Sequence, residues 1–239
     1  INSANRLAYT ISGACSENAR TVSVNVGGVT ATPTCSSLAW SATLNVNGVA
    51  DGASVSVTAN HTDAAGNAAT TASTTVAKDT VIPTVAITSS PSINNVNDTA
   101  YTVSGTCSEN TRAVSVNVGG VTAIPTCTSS AWSATLDVSA VSDGGSISIT
   151  ANHTDAAGNA ATQASTTVIK DTALPTVAIT STPVINNANK NAYTFSGTCS
   201  ESGRAVAVAV GITTGSVTCS LLTWSATLNV SGNTDNMSL

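Results

Sequence analysis

Apolar and polar residues alternate along most of this chain. Between Tyr101 and Cys107 one side carries Tyr101, Val103, Gly105 and Cys107, the other Thr102, Ser104 and Thr106. Val114, Val116 and Val118 continue the pattern, followed by Val121, Ala123, Pro125 and Cys127, then Trp132, Ala134, Leu136 and Val138. A period of two belongs to half-buried antiparallel strands, whose successive side chains point to opposite faces. Gly119-Gly120 between two such runs marks a hairpin. No window offers an amphipathic helix of useful length, so the pattern predicts an all-β protein.

The pattern itself repeats. Cys15, Cys107 and Cys199 stand 92 residues apart, and the same interval separates Cys35, Cys127 and Cys219, and Trp40, Trp132 and Trp224. A fixed period of this length means tandem copies of one folded unit. The sequence divides into residues 1–79, which lack a first strand and begin with the turn INSANR, residues 80–171, which are complete, and residues 172–239, which stop before the last two strands. Ile1 aligns with Ile93 and Leu239 with Ile147, so the chain is expected to be a fragment of a longer array. The third unit, left with an exposed sheet edge, is expected to be the least stable. Seven short strands in the complete unit, A to G, predict a β-sandwich of immunoglobulin-like type.

Composition narrows the chemistry. Aromatic residues make up 3% of the chain, so one Trp per unit is expected to be its largest core filler. A formal charge of −5 argues against nucleic acid and anionic membrane surfaces, which need basic patches. No apolar run approaches the ~18 residues needed to span a bilayer. Six cysteines in three equivalent pairs, without a CxxC, point to disulfides and an oxidising compartment. The ends of strands B (Cys107) and D (Cys127) arrive at the same end of the unit, where a short bridge is geometrically sensible. Metal binding is the poorer reading, because His61 and His153 lie far along the chain from both cysteines of their units; free buried thiols are the remaining alternative.

These residues resemble the bacterial Ig-like repeats of large surface adhesins and biofilm-associated proteins. The resemblance rests on YTVSGTCSE, the GGVTA hairpin, AWSATL, the TDAAGN turn and the DTxxPT linker, and it covers the whole chain. The cysteine pair is not general in that family and sets this chain apart as a variant. Its Trp on strand E also departs from antibody domains, which carry theirs on strand C. The resemblance implies an extracellular, rod-like array whose partners are its own neighbouring repeats. It further implies a host or surface receptor reached through other domains, and calcium at some repeat junctions.

Charges are scarce, so their placement is informative. Ten of the twelve acids recur at four positions: Glu17/Glu109/Glu201, Asp51/Asp143/Asp235, Asp63/Asp155 and Asp79/Asp171. Strand directions put Glu109, in the B–C loop, and Asp155 with Asn159, in the F–G loop, at one end of the second unit. Asp79 lies in the linker entering that end, and Asp51 faces it from the first unit. Carboxylates, an Asn and backbone carbonyls suit calcium, an oxygen-seeking cation. A second, weaker set is Asp171, Glu201 and Asp143. The plainer reading makes ADGA, SDGG and DAAGN ordinary turns, and Glu109 with Arg112 an exposed loop ion pair.

Other chemistry is thin. His153 shares a face with Ile147, Ile149 and Ala151 and reads as a packed or rim histidine. No nucleophile is singled out for it, so no hydrolytic triad is expected and the chain reads as non-catalytic. The expectation is therefore a structural extender of a secreted or surface-anchored bacterial protein. The alternatives are a ligand-binding Ig-like module, which should carry one divergent loop, or an accessory module of a secreted enzyme.

Overall fold

The computed structural model describes residues 1–234, so Asp235 lies outside the described residues. Among the described residues, apart from a short 3-10 turn at Asp98–Ala100, every regular element is a strand, as the period-two pattern predicts. The first repeat contributes β1 (Tyr9–Ala14), β2 (Val22–Val26), β3 (Val29–Ala31), β4 (Ala39–Leu44), β5 (Gly52–His61) and β6 (Ala72–Lys78). The second contributes β7 (Val85–Ser89), β8 (Tyr101–Cys107), β9 (Val114–Val118), β10 (Val121–Ala123), β11 (Ala131–Leu136), β12 (Gly144–His153) and β13 (Ala164–Lys170). The third contributes β14 (Val177–Ser181), β15 (Tyr193–Cys199), β16 (Ala205–Val210), β17 (Thr213–Thr218) and β18 (Thr223–Leu228).

In the second repeat β11-β8-β7 form one antiparallel sheet and β10-β9-β12-β13 the other. Their inward faces are the alternating positions of the sequence: Tyr101 and Val103 from one sheet meet Val114, Val116, Val118 and Ile149 from the other, all fully buried. Strands A, B and E thus face D, C, F and G in an immunoglobulin- or fibronectin-like sandwich. Its A strand is split. β7 pairs with β8, whereas Ile93, four residues past the end of β7, bridges in parallel to Lys170, the last residue of β13. That change of sheet lets a single segment close both edges.

Trp132 fills the core under β7 and β8, donating from Nε1 to the Thr106 and Ala86 carbonyls at 3.1 and 3.2 Å. Gly105 makes room for it: a Cβ there would lie 1.8 Å from the Ala86 oxygen and 2.7 Å from the indole. Each repeat closes one end with a disulfide, Cys15–Cys35, Cys107–Cys127 and Cys199–Cys219, each spanning a sequence separation of 20. Closing a loop of this size restricts the unfolded chain by about 3 kcal/mol.

Two local expectations need correction. Gly52 and Ala53, read as part of a turn, belong to β5, whose register with β6 is irregular between Gly52 and Val55. The run toward Cys127 ends as a regular strand at Ala123; beyond it the chain stays beside the residues before β9 through isolated pairings, Val114 to the Pro125 carbonyl and Cys127 to the Thr111 and Arg112 backbone. The chain parts into two compact units, Ile1–Thr172 and Ala173–Leu239. The first holds the cores of repeats one and two; the second holds a core built on Tyr193, Phe195 and Trp224.

Candidate functional site at the first repeat junction

The TDAAGN turn between β12 and β13 is tied up by its own side chains. Asp155 accepts from the Asn159 amide nitrogen at 2.8 Å and from Asn159 Nδ2 at 2.7 Å, and both residues are almost wholly buried. Burial pushes the Asp155 carboxyl up, but the bonds from Asn159 and the turn backbone prevail and hold it below the usual carboxylate range.

Asn159 also reaches out of its own repeat. Its Nδ2 donates to the Asp79 carbonyl at 2.9 Å, and its Oδ1 accepts from the Ser3 backbone at 2.6 Å. Asn2 Nδ2 completes the contact by donating to the Ala157 carbonyl at 2.9 Å. The F–G turn of the second repeat is thereby fastened to the opening turn and the linker of the first. Asn2 and Ser3 carried no chemical signal in the sequence. Only their position at the start of a repeat, at the end opposite the TDAAGN turn, could have singled them out.

The linker is held from the other side by a buried lysine that the acid pattern did not reveal. Lys78 is 4% exposed, and its Nζ donates to Asp51 at 2.6 Å. Asp51 also accepts from the Thr80 amide and hydroxyl. Lys78 first, then the Thr80 amide, bring the Asp51 carboxyl down to about 2. The second repeat repeats the device. Asp143 accepts from the Thr172 amide at 3.0 Å, and Lys170 Nζ lies 3.4 Å from Asp143 and donates to the Val141 carbonyl. The recurring KDT at 78–80 and 170–172, 27 residues after a recurring Asp, was the available signal.

The remaining acids serve locally. Asp79 Oδ1 accepts from the Val81 amide, and the Asp171 amide donates to the Ile93 carbonyl. Glu17 and Glu201 pair with Arg20 and Arg204 at 3.8 and 3.3 Å. In the second repeat the expected Glu109–Arg112 pair gives way to a bond from Arg112 to the Asp155 carbonyl. Glu109 donates its amide to His153 Nε2, while His153 Nδ1 meets the Ala113 carbonyl, so this histidine is a packed structural residue.

Calcium would need roughly six to eight oxygens free to converge. Here Asn159 Nδ2 already donates to both Asp155 and the Asp79 carbonyl, and the Asp51 oxygens are taken by Lys78 and Thr80. Among the described residues no three His, Cys, Asp or Glu side chains gather as a metal-holding group. In this arrangement these groups are engaged with protein partners. No helix among the described residues is long and apolar enough to cross a membrane.

No known protein family matches the chain, and no curated protein does. Solved structures do. A Ca2+-stabilised adhesin that helps an Antarctic bacterium reach out and bind ice is 25% identical over 96% of this chain, with a TM-score of 0.44. A 1.5-MDa bacterial ice-binding adhesin, described for its retention at the host cell surface, is 22% identical over 96%, with a TM-score of 0.40. A tetra-tandem repeat from the extending region of a large adhesion protein is 21% identical over 95%, with a TM-score of 0.37. This chain spans 62%, 82% and 64% of those chains, respectively.

Proposed function

We propose that this chain is a non-catalytic structural extender, a run of β-sandwich repeats from a secreted or surface-anchored bacterial protein, joined to give reach and carry load. The observation that supports it is Asn159, whose one side chain is bonded to its own turn, to the linker and to the preceding repeat. A ligand-binding tip would leave such a loop free to meet its partner; here its polar atoms are spent on a neighbour. Disulfide-closed sandwiches and a short Pro-containing linker suit the same role.

Asn159→Ala in the whole chain tests this by calorimetry and X-ray scattering, each run in calcium and in EDTA. The substitution strips the buried Asp155 carboxylate of its main donor, a loss of about 1–3 kcal/mol. The expected result is a lower transition for the first two repeats, a more variable particle length, and superimposed curves with and without calcium. Should calcium raise the transition and Asp79→Ala or Asp155→Asn remove the gain, the junction is a metal clamp instead. An unchanged melt and scattering curve for Asn159→Ala would refute the fastened junction.

A further inference from the structure

The bridge Cys107–Cys127 joins the two sheets of the second repeat. Cys107 is the last residue of β8, in the β11-β8-β7 sheet. Cys127 lies beside the residues that lead into β9 of the other sheet. Its amide donates to the Arg112 carbonyl and its carbonyl accepts from the Thr111 amide, both at 2.8 Å. β9 and β10 run between the two cysteines, inside a covalent loop with a sequence separation of 20. The linkers join the repeat outside that loop, before β7 and after β13. Once the repeat has opened, tension along the chain passes through the two sulfurs and not through β9 and β10.

In the folded repeat both sulfurs are covered: Cys107 is 3% and Cys127 0% exposed. β7 flanks the first of them. Val85 stands opposite Cys107 and packs on the same core. The next residue, Ser108, donates its amide to the Thr84 carbonyl at 3.1 Å and accepts at its hydroxyl from the Thr84 amide at 3.0 Å. β7 is an edge strand that pairs, among the described residues, with β8 alone, and it is the strand that the linker enters first. Pulling on the linker therefore strains the β7–β8 bonds. When β7 lifts, Trp132 loses its Ala86 acceptor but keeps that of Thr106, and Cys107 loses its Val85 neighbour.

We propose that Cys107–Cys127 is a redox lock on a reserve of length, closed to thiols in the folded repeat and open to them once tension has lifted β7. The intact bridge withholds its loop from extension, a length of up to about 70 Å at ~3.5 Å per residue. Thiol–disulfide exchange releases it. The thiolate of a small thiol reductant attacks one bridge sulfur, breaking the S–S bond and forming a mixed disulfide, and the departing cysteine takes up the proton. A second thiol attacks the reductant's sulfur in the mixed disulfide and displaces the other cysteine. Two cysteine thiols and one disulfide-linked, oxidised reductant result. Exchange needs access to the sulfur under attack, so the cover makes reduction follow opening. The lock rests on the load-bearing reading but not on the junction, so its failure leaves the Asn159 result standing.

The test holds single 239-residue chains by their ends at constant force, without and then with a dithiol. Without it, replacing both cysteines (Cys107→Ser, Cys127→Ser) should lengthen one opening step by up to about 70 Å. With it, the wild type should show gains of that size as separate steps, always after a repeat has opened, and the double variant should lack one of them. Mass spectrometry of the wild type in dithiol and a thiol alkylator asks the same without a variant. Cys107 and Cys127 should stay unlabelled in native buffer and become labelled at the denaturant concentrations that open β7. Opening steps of equal length with and without the bridge overturn the lock, because no reserve is then held. Labelling in native buffer overturns it too, since the bridge is then reachable under a seated β7. So does a dithiol run in which no late step follows opening.

Discussion

At the scale of single residues, this protein spends its few charges on backbone. Lys78 is buried because its ammonium has a carboxylate to meet, and Asp51 in turn gathers the linker amide of Thr80. Such a pair predicts a pH window. The Asp51 carboxyl is lowered in the folded chain from 3.8 to about 2, so its stabilising contribution is complete above pH ~4. It is lost as pH falls toward 2, because the unfolded chain takes up the proton first. Acid titration monitored by the Lys78 and Thr80 NMR signals should show this loss in the wild type between pH 4 and 2. Asp51→Asn should lack that step while keeping the hydrogen bond to Thr80. A wild-type linker unchanged at pH 2 would show that Asp51 does not hold it.

At the scale of elements, alternation alone was enough to place nearly every strand, because each strand buries one face against a single partner sheet. The A strand was legible as a strand but not in its change of sheet, since nothing in PSIN around Ile93 tells which edge the backbone will join. The cysteine pairing was legible as geometry, from two segments arriving at one end of the unit, although β10 itself stops at Ala123. The roles of Lys78, Lys170 and Asn159 were not, because a lysine's burial and an asparagine's reach depend on what the fold brings opposite them. The turn into β11 was equally hidden. Ser129 and Ser130 both take positive φ, 52° and 60°, without the Asn-Gly that marks such turns. Asn110 holds the second of them by accepting from the Ser130 amide at 2.8 Å. Left-handed backbone costs a residue with a Cβ about 1 kcal/mol. Ser130→Gly should therefore stabilise the second repeat by about 0.5–1 kcal/mol in chemical denaturation. A loss of stability would mean that the serine side chain contributes more than the backbone strain it causes.

At the scale of the whole molecule, the three repeats share a plan and differ in the apolar core that their described residues bury. The second buries fifteen apolar residues in one cluster, twelve of them on β8, β9, β11, β12 and β13; the third buries eight, six of them on β15, β16 and β18. Its β16-β17 sheet has two strands, and Val177 and Ile179 on β14 are each 62% exposed. Phe195, edge-on to Trp224 at 5.5 Å where the second repeat has Val103, restores part of the loss, since such aromatic pairs add only about 0.5–1.5 kcal/mol. Two uncovered branched side chains each forgo about 1.5–3 kcal/mol of burial, so the third repeat should open first. Native-state hydrogen exchange on the intact chain can resolve this, because each repeat reports through its own strands. The amides of β16 and β17 should exchange at denaturant concentrations that leave β9 and β12 protected. The Cys199–Cys219 bridge ties the end of β15 to the residue after β17 and should keep the two close after that opening, so reduction should speed exchange in both. If β16 and β9 instead open together with one free energy, the repeats unfold as a single cooperative body, and the size of each core does not set the order.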